Sequence, residues 1–111
     1  MNRCIVIRTQ FEAIHNWPEC PIKEVEFLKH PHRHMFHVEM KWTVSHADRE
    51  KEFIMMKRRV DQYINSVWTG RNIGRLSCEN IADTLVGQFK DCIFISVFED
   101  NENGVEVDYA Q

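Results

Sequence analysis

No internal repeat, low-complexity tract or linker interrupts the 111 residues. One domain spanning 1–111 is therefore expected, close to the usual size of roughly 100–150 residues. No apolar run approaches the roughly 20 residues that a membrane-spanning helix needs. The opening Met1-Asn2-Arg3-Cys4-Ile5-Val6-Ile7-Arg8 has only a short apolar stretch, broken by Arg8, and does not read as a secretory signal. A basic excess is also missing. Fourteen Lys and Arg against seventeen Asp and Glu give a net charge of −3, which argues against a nucleic-acid polymer as partner. The four cysteines, Cys4, Cys20, Cys78 and Cys92, form no CxxC pair. They read as buried thiols of a reducing cytosol, the expected location, rather than as a disulfide framework. With 43% hydrophobic and 28% charged residues the chain is not disordered. What is abundant is histidine. Of six, His30, His32, His34 and His37 fall within eight residues.

Periodicity places these residues on elements. Cys4–Thr9 is a β-branched strand that can continue through Phe11, Ala13 and His15, which share one face at period two. Residues 16–31, with Pro18, Pro21 and Pro31, read as a loop with an ordered piece around Val25–Leu28. Arg33–Val44 gives the clearest alternation: an apolar face of His34, Phe36, Val38, Met40, Trp42 and Val44, and a mostly polar one of Arg33, Met35, His37, Glu39, Lys41 and Thr43. His32 and His34 thus project from the apolar face. The three-and-four spacing of Phe53, Met56, Val60, Tyr63, Ile64 and Val67 predicts a helix over 53–67, whose start is open between residues 48 and 53. Residues 68–76 form a loop. Ser77 then suits the N-cap of a second helix with Ile81, Ala82, Leu85, Val86 and Phe89 on one face. Cys92–Glu99 is a strand, 100–104 a hairpin loop, and Val105, Val107 and Tyr109 alternate in a last strand. The fold class is α+β: a four-stranded antiparallel sheet with two helices between strands 2 and 3, packed on one face.

His15, His32 and His34 form the leading constellation. Histidines at i and i+2 on one strand face converge on one ion, and a third from a neighbouring strand completes three nitrogen ligands. Three protein ligands with an open position is the pattern of catalytic zinc, although imidazole also suits iron, nickel and copper. The plainer reading is surface imidazoles beside a core histidine.

Phe11-x-Ala13-x-His15, His32-x-His34-x-Phe36, Glu52-Phe53, Ser77-x-Glu79-Asn80-x-Ala82 and Glu99 follow in the order seen in pterin synthases. From Phe11 to Tyr109 the chain resembles the 6-pyruvoyl- and 6-carboxy-tetrahydropterin synthase family, whose tunnelling fold has the same order of elements. The resemblance implies that His15, His32 and His34 bind Zn2+ and that Glu99 anchors a heterocycle through its ring N–H and amino group. It also implies that the sheets of several copies close into a barrel, as a homo-trimer or hexamer with pockets between subunits.

The departures concern proton transfer. The family's cysteine lies four residues before the first histidine of the HxH pair, and Leu28 stands there. Cys20 lies in the same loop and is the candidate relocated catalytic thiol, against a structural role. The family's Asp-His pair has no match between Asn65 and Leu76, and Arg33 replaces the glycine between the two histidines. Arg33 would leave the opposite strand face and is read as a phosphate or carboxylate contact at a subunit boundary, or as a solvated charge. Ser77 and Cys78 are candidate ligand contacts. Ser77 alternatively only caps its helix, and Cys78 is either a thiolate favoured by a helix N-terminus or a buried, inert thiol. Glu99 alternatively belongs to a solvated acidic hairpin with Asp100 and Glu102. Trp17 and Trp42 read as packing groups.

Two functions follow from the resemblance. One is a zinc-containing binder that grips a pterin-like or purine-nucleotide-like molecule without turnover, for sequestration or sensing. The other is a zinc-dependent carbon–oxygen lyase acting on 7,8-dihydroneopterin triphosphate, with Cys20, His30, His37, His46 or a zinc-bound hydroxide substituting for the family's groups. A third reading keeps the fold and drops the pocket.

Overall fold

A computed structural model describes residues 2–110 of the chain. Strand β1 (Arg3–His15) and strand β2 (His32–Val44) form a 13-residue antiparallel hairpin with unbroken register, from Arg3 opposite Val44 to His15 opposite His32. Helices α1 (Phe53–Val67) and α2 (Cys78–Gln88) follow. Strands β3 (Phe94–Glu99) and β4 (Asn103–Asp108) complete a sheet of order β1-β2-β3-β4.

Register and alternation put Ile7, Phe11, Phe36, Val38, Met40, Trp42, Ile95 and Val97 on one buried face of the sheet. Against that face α1 packs Val60 and Ile64, and α2 packs Ile81, Ala82 and Leu85, all 2% exposed or less. His15, His32, His34 and Glu99 belong to the same face, at the end of the sheet where the apolar filling stops. The other face carries Arg8, His37, Glu39 and Ser96.

Boundaries differ from the sequence reading where a polar group finds a specific partner. β1 runs through Thr9 without a break because the Thr9 hydroxyl, on the helix face, donates to Asp61 of α1. Glu52 starts α1: its carboxylate accepts from the backbone N–H of Ile54 and Met55, at 3.0 and 3.2 Å. β3 begins at Phe94 rather than Cys92, since Cys92 N–H closes a turn on the Phe89 carbonyl. β4 ends at Asp108, and Tyr109 just beyond it donates its hydroxyl to Asp83 of α2 at 2.7 Å. The long loop holds a 3₁₀ segment over Lys23–Lys29.

Candidate metal centre and adjoining cleft

The site is assembled by the strand register. His15 faces His32 directly across the β1–β2 ladder, and His34 lies opposite Ala13, whose small side chain leaves room for the ring. Ring centroids stand 4.6 Å (His15–His32), 5.4 Å (His15–His34) and 4.9 Å (His32–His34) apart. One nitrogen from each ring lies within 4.8 Å of the other two. Phe36, fully buried, meets His15 edge-on at 5.2 Å and is stacked on Phe11 from behind, so the triad rests on an apolar wall.

Each imidazole has its Nδ1 committed. Nδ1 of His15 donates to the Leu76 carbonyl at 2.8 Å, and that of His32 to the His30 carbonyl at 2.8 Å. Nδ1 of His34 donates to Asp100 Oδ2 at 2.6 Å. A carbonyl or carboxylate at Nδ1 fixes the tautomer and leaves the Nε2 lone pair free, the arrangement found behind metal-ligating histidines. His15 Nε2 is buried and has no hydrogen-bond partner among the described residues. Glu99 Oε2 lies 3.1 Å away without meeting hydrogen-bond geometry. A buried nitrogen left unpaired is costly unless a cation or proton takes it. The donor set therefore fits a metal of the zinc class, with His15, His32 and His34 as the residues that would hold it.

Asp100 carries no prediction from the sequence beyond a loop. Yet it holds His34 and also accepts the Met35 N–H at 3.0 Å, which keeps its carboxyl below the usual range. It does so from a three-residue hairpin loop in which Asp100 and Asn101 both have positive φ, 54° and 58°, and Glu102 N–H returns to the Glu99 carbonyl. Asp and Asn are the residues that tolerate this backbone, which was the available signal.

Beside the triad opens a cleft of about 520 Å³, within the range of small-molecule sites. His15, His32, Leu76 and Glu99 line one side, the start of α2 with Ser77, Cys78, Glu79 and Asn80 another, and Trp17 and Leu28 of the long loop a third. Ser77 caps α2 in a reciprocal box: its Oγ accepts the Asn80 N–H at 3.0 Å, and Asn80 Oδ1 accepts the Ser77 N–H at 3.1 Å. The Cys78 thiol is pushed up to about 12 by burial, then by the charges of Glu99 and Glu79, which outweigh the helix N-terminus. It is a thiol and not a thiolate. Glu99 is held below its usual range by His15 first and by the charges of His34 and His32, against burial. Burial would push His15 down, but the Glu99 carboxylate and the Leu76 carbonyl together hold it above the ordinary imidazole range.

Other expected contributors lie elsewhere. Cys20 is buried in the long loop, its thiol 3.7 Å from the carbonyl oxygens of Ile22 and Val25, and does not line the cleft. The loop folds over its own thiol instead of presenting it. Arg33 points to the opposite sheet face, as an odd position of β2 must, and pairs with Glu12. His30, His37 and His46 do not line the cleft either. Trp17, read as a packing group, is 38% exposed and forms part of the cleft wall, whereas Trp42 is in the core.

No family model matches the sequence, and no curated protein matches it. Solved structures do. 6-Pyruvoyl tetrahydropterin synthase from Caenorhabditis elegans superposes with a TM-score of 0.78 over 97% of this chain and 96% of that one, at 12% identity. The chain has the tetrahydropterin-synthase fold. An uncharacterized protein from Wolinella succinogenes shares it, with a TM-score of 0.87, 99% of both chains covered and 11% identity. Identities this low establish a common fold in a divergent sequence. No helix of the described residues is long and apolar enough to cross a membrane.

Proposed function

We propose that this protein is a zinc-containing, tetrahydropterin-synthase-like binder of a flat heterocycle, pterin-like or guanine-like, held in the cleft beside the triad. The observation that carries the reading is the pre-oriented set of His15, His32 and His34, with Nδ1 of each ring committed and Glu99 at the boundary between triad and cleft. An ionised carboxylate there accepts from the N–H and amino edge that pterins and guanine share. Ser77 and Cys78 supply the facing wall, and Trp17 and Leu28 offer apolar surface to the ring.

Binding without turnover is favoured over lyase chemistry by what the cleft offers for proton transfer. Leu28, at the position of the synthases' cysteine, lines it with an apolar side chain, and the thiol that is present, Cys78, is held protonated. Zinc would polarise an oxygen of the ligand, which orients it but does not replace a positioned acid or base. The long outer edge of β1 supports association: over residues 3–10 it carries no partner strand among the described residues, a template for pairing with another copy. On this reading the copies associate as the homo-trimer or hexamer that the resemblance implies, with the cleft at a subunit boundary.

Titration calorimetry with a pterin and with guanine nucleotides tests the reading. Saturable binding that is lost in Glu99→Ala, without product by mass after incubation with 7,8-dihydroneopterin triphosphate, is the expected result. Conversion of that compound would establish the lyase instead, and no binding of either ligand class would leave only the fold.

A further inference from the structure

The position of the Glu99 carboxylate reaches further than ring binding. Its two oxygens are turned to the triad: Oε2 stands 3.1 Å from His15 Nε2, and Oε1 stands 3.5 Å from His34 Nε2. With Nδ1 of both rings already committed, to Leu76 and Asp100, Nε2 is the ring atom that each turns toward Glu99. Two ring nitrogens and a carboxylate from three strands thus converge on one space.

The spacing says what fits. Zinc bonds of about 2.0–2.1 Å to nitrogen and oxygen, disposed tetrahedrally, put neighbouring donor atoms about 3.3–3.4 Å apart. Each Glu99 oxygen stands near that distance from one ring nitrogen, Oε2 from His15 and Oε1 from His34, and rotation of the carboxylate lets a single oxygen serve both. His32 supplies the remaining corner by a small inward turn, since the three ring nitrogens lie within 4.8 Å of one another. Register makes the arrangement possible. Glu99 sits opposite Phe36, two residues along β2 from His34 on the same face, so its side chain arrives beside the HxH pair from β3.

We propose that Glu99 is the fourth ligand of the metal centre, closing a three-histidine, one-carboxylate tetrahedron in the protein without bound heterocycle. The inference rests on the reading of His15, His32 and His34 as a metal site. It gives Glu99 two competing occupations, because a carboxylate bound to the metal cannot also present both oxygens to a ring. A heterocycle that claims Glu99 through its N–H edge must draw it off the metal, opening a coordination position for one of the ligand's own atoms. Metal coordination and heterocycle binding are thereby coupled through one side chain.

The test uses the purified full chain stripped of metal and reloaded with Zn2+ or Co2+ alone. Zinc affinity is measured by competition with a chromophoric chelator, and cobalt geometry by visible absorption. Glu99→Gln keeps the shape and weakens ligation. Glu99→Asp keeps the charge but withdraws the oxygens by one methylene. Both are expected to lose at least about tenfold in zinc affinity, as for other disturbed metal spheres, and to lose the intense bands of four-coordinate cobalt. Circular dichroism confirms that each remains folded. Wild-type affinity and an unchanged cobalt spectrum in both variants, while His32→Ala loses the metal, would overturn the fourth-ligand role and leave the triad standing. If His32→Ala also binds zinc as tightly as wild type, the metal centre itself fails and this proposal with it.

Discussion

At the scale of single residues, environment decides what each chemically capable side chain can do. Cys78 sits at a helix N-terminus, where a thiolate is ordinarily favoured. Burial and the neighbouring Glu99 and Glu79 reverse that preference and push the thiol up to about 12. Cys20 and Cys92 are buried, and Cys4 is exposed. Iodoacetamide under native conditions at neutral pH should therefore add rapidly to Cys4 alone, as read by intact mass and peptide mapping. Rapid modification of Cys78 would show that its surroundings are more polar than described. The sequence made the three histidines legible because alternation assigns faces: His32 and His34 share a face with Phe36, and His15 shares one with Phe11. Asp100 was not legible as the support of His34. Its role depends on a turn with two positive φ angles that brings a hairpin carboxylate onto a strand distant in sequence.

At the scale of elements, the cleft depends on how α2 begins and how β3 turns into β4. The Ser77–Asn80 box satisfies N–H groups that a helix start otherwise leaves unpaired. Ser77→Ala should cost about 1 kcal/mol in chemical denaturation, and a loss within error would mean that water caps the helix equally well. Gly104 sits opposite Phe98 in the β3–β4 hairpin, where a Cβ would collide with the Val97 carbonyl oxygen and the Phe98 Cα. Because those are backbone atoms and cannot swing aside, Gly104→Val should cost about 2–3 kcal/mol, as overpacking does. An unperturbed denaturation midpoint would contradict the close approach. Element boundaries were harder to read than element types. The α1 start was open because glutamate is not a usual N-cap, yet Glu52 reaches back to two N–H groups. The second half of β1 was uncertain because Thr9 and Gln10 interrupt the apolar pattern, and the bond from Thr9 to Asp61 is a tertiary fact.

At the scale of the whole molecule, a 13-residue hairpin extends the protein to 50 Å in its longest dimension while the helices cover one face of the sheet. The segment Gly70–Gly74 covers only the His15 end of the β1 edge, through bonds such as Gly70 N–H to Glu12 and Ile14 N–H to Arg71. The remainder, with Val6 39% exposed, is the kind of long edge that isolated domains blunt and oligomers use. Light scattering at micromolar concentration should return a multiple of the 13.3 kDa chain mass. A monomer there would remove the subunit boundary from the account.

Everything proposed for the cleft passes through the metal centre, so metal content is the most direct test. Elemental analysis of the purified protein should find zinc in proportion to chain, with His32→Ala and His34→Ala each losing it while remaining folded. Wild-type protein that carries no metal and takes up none when zinc is supplied would contradict the account at its centre.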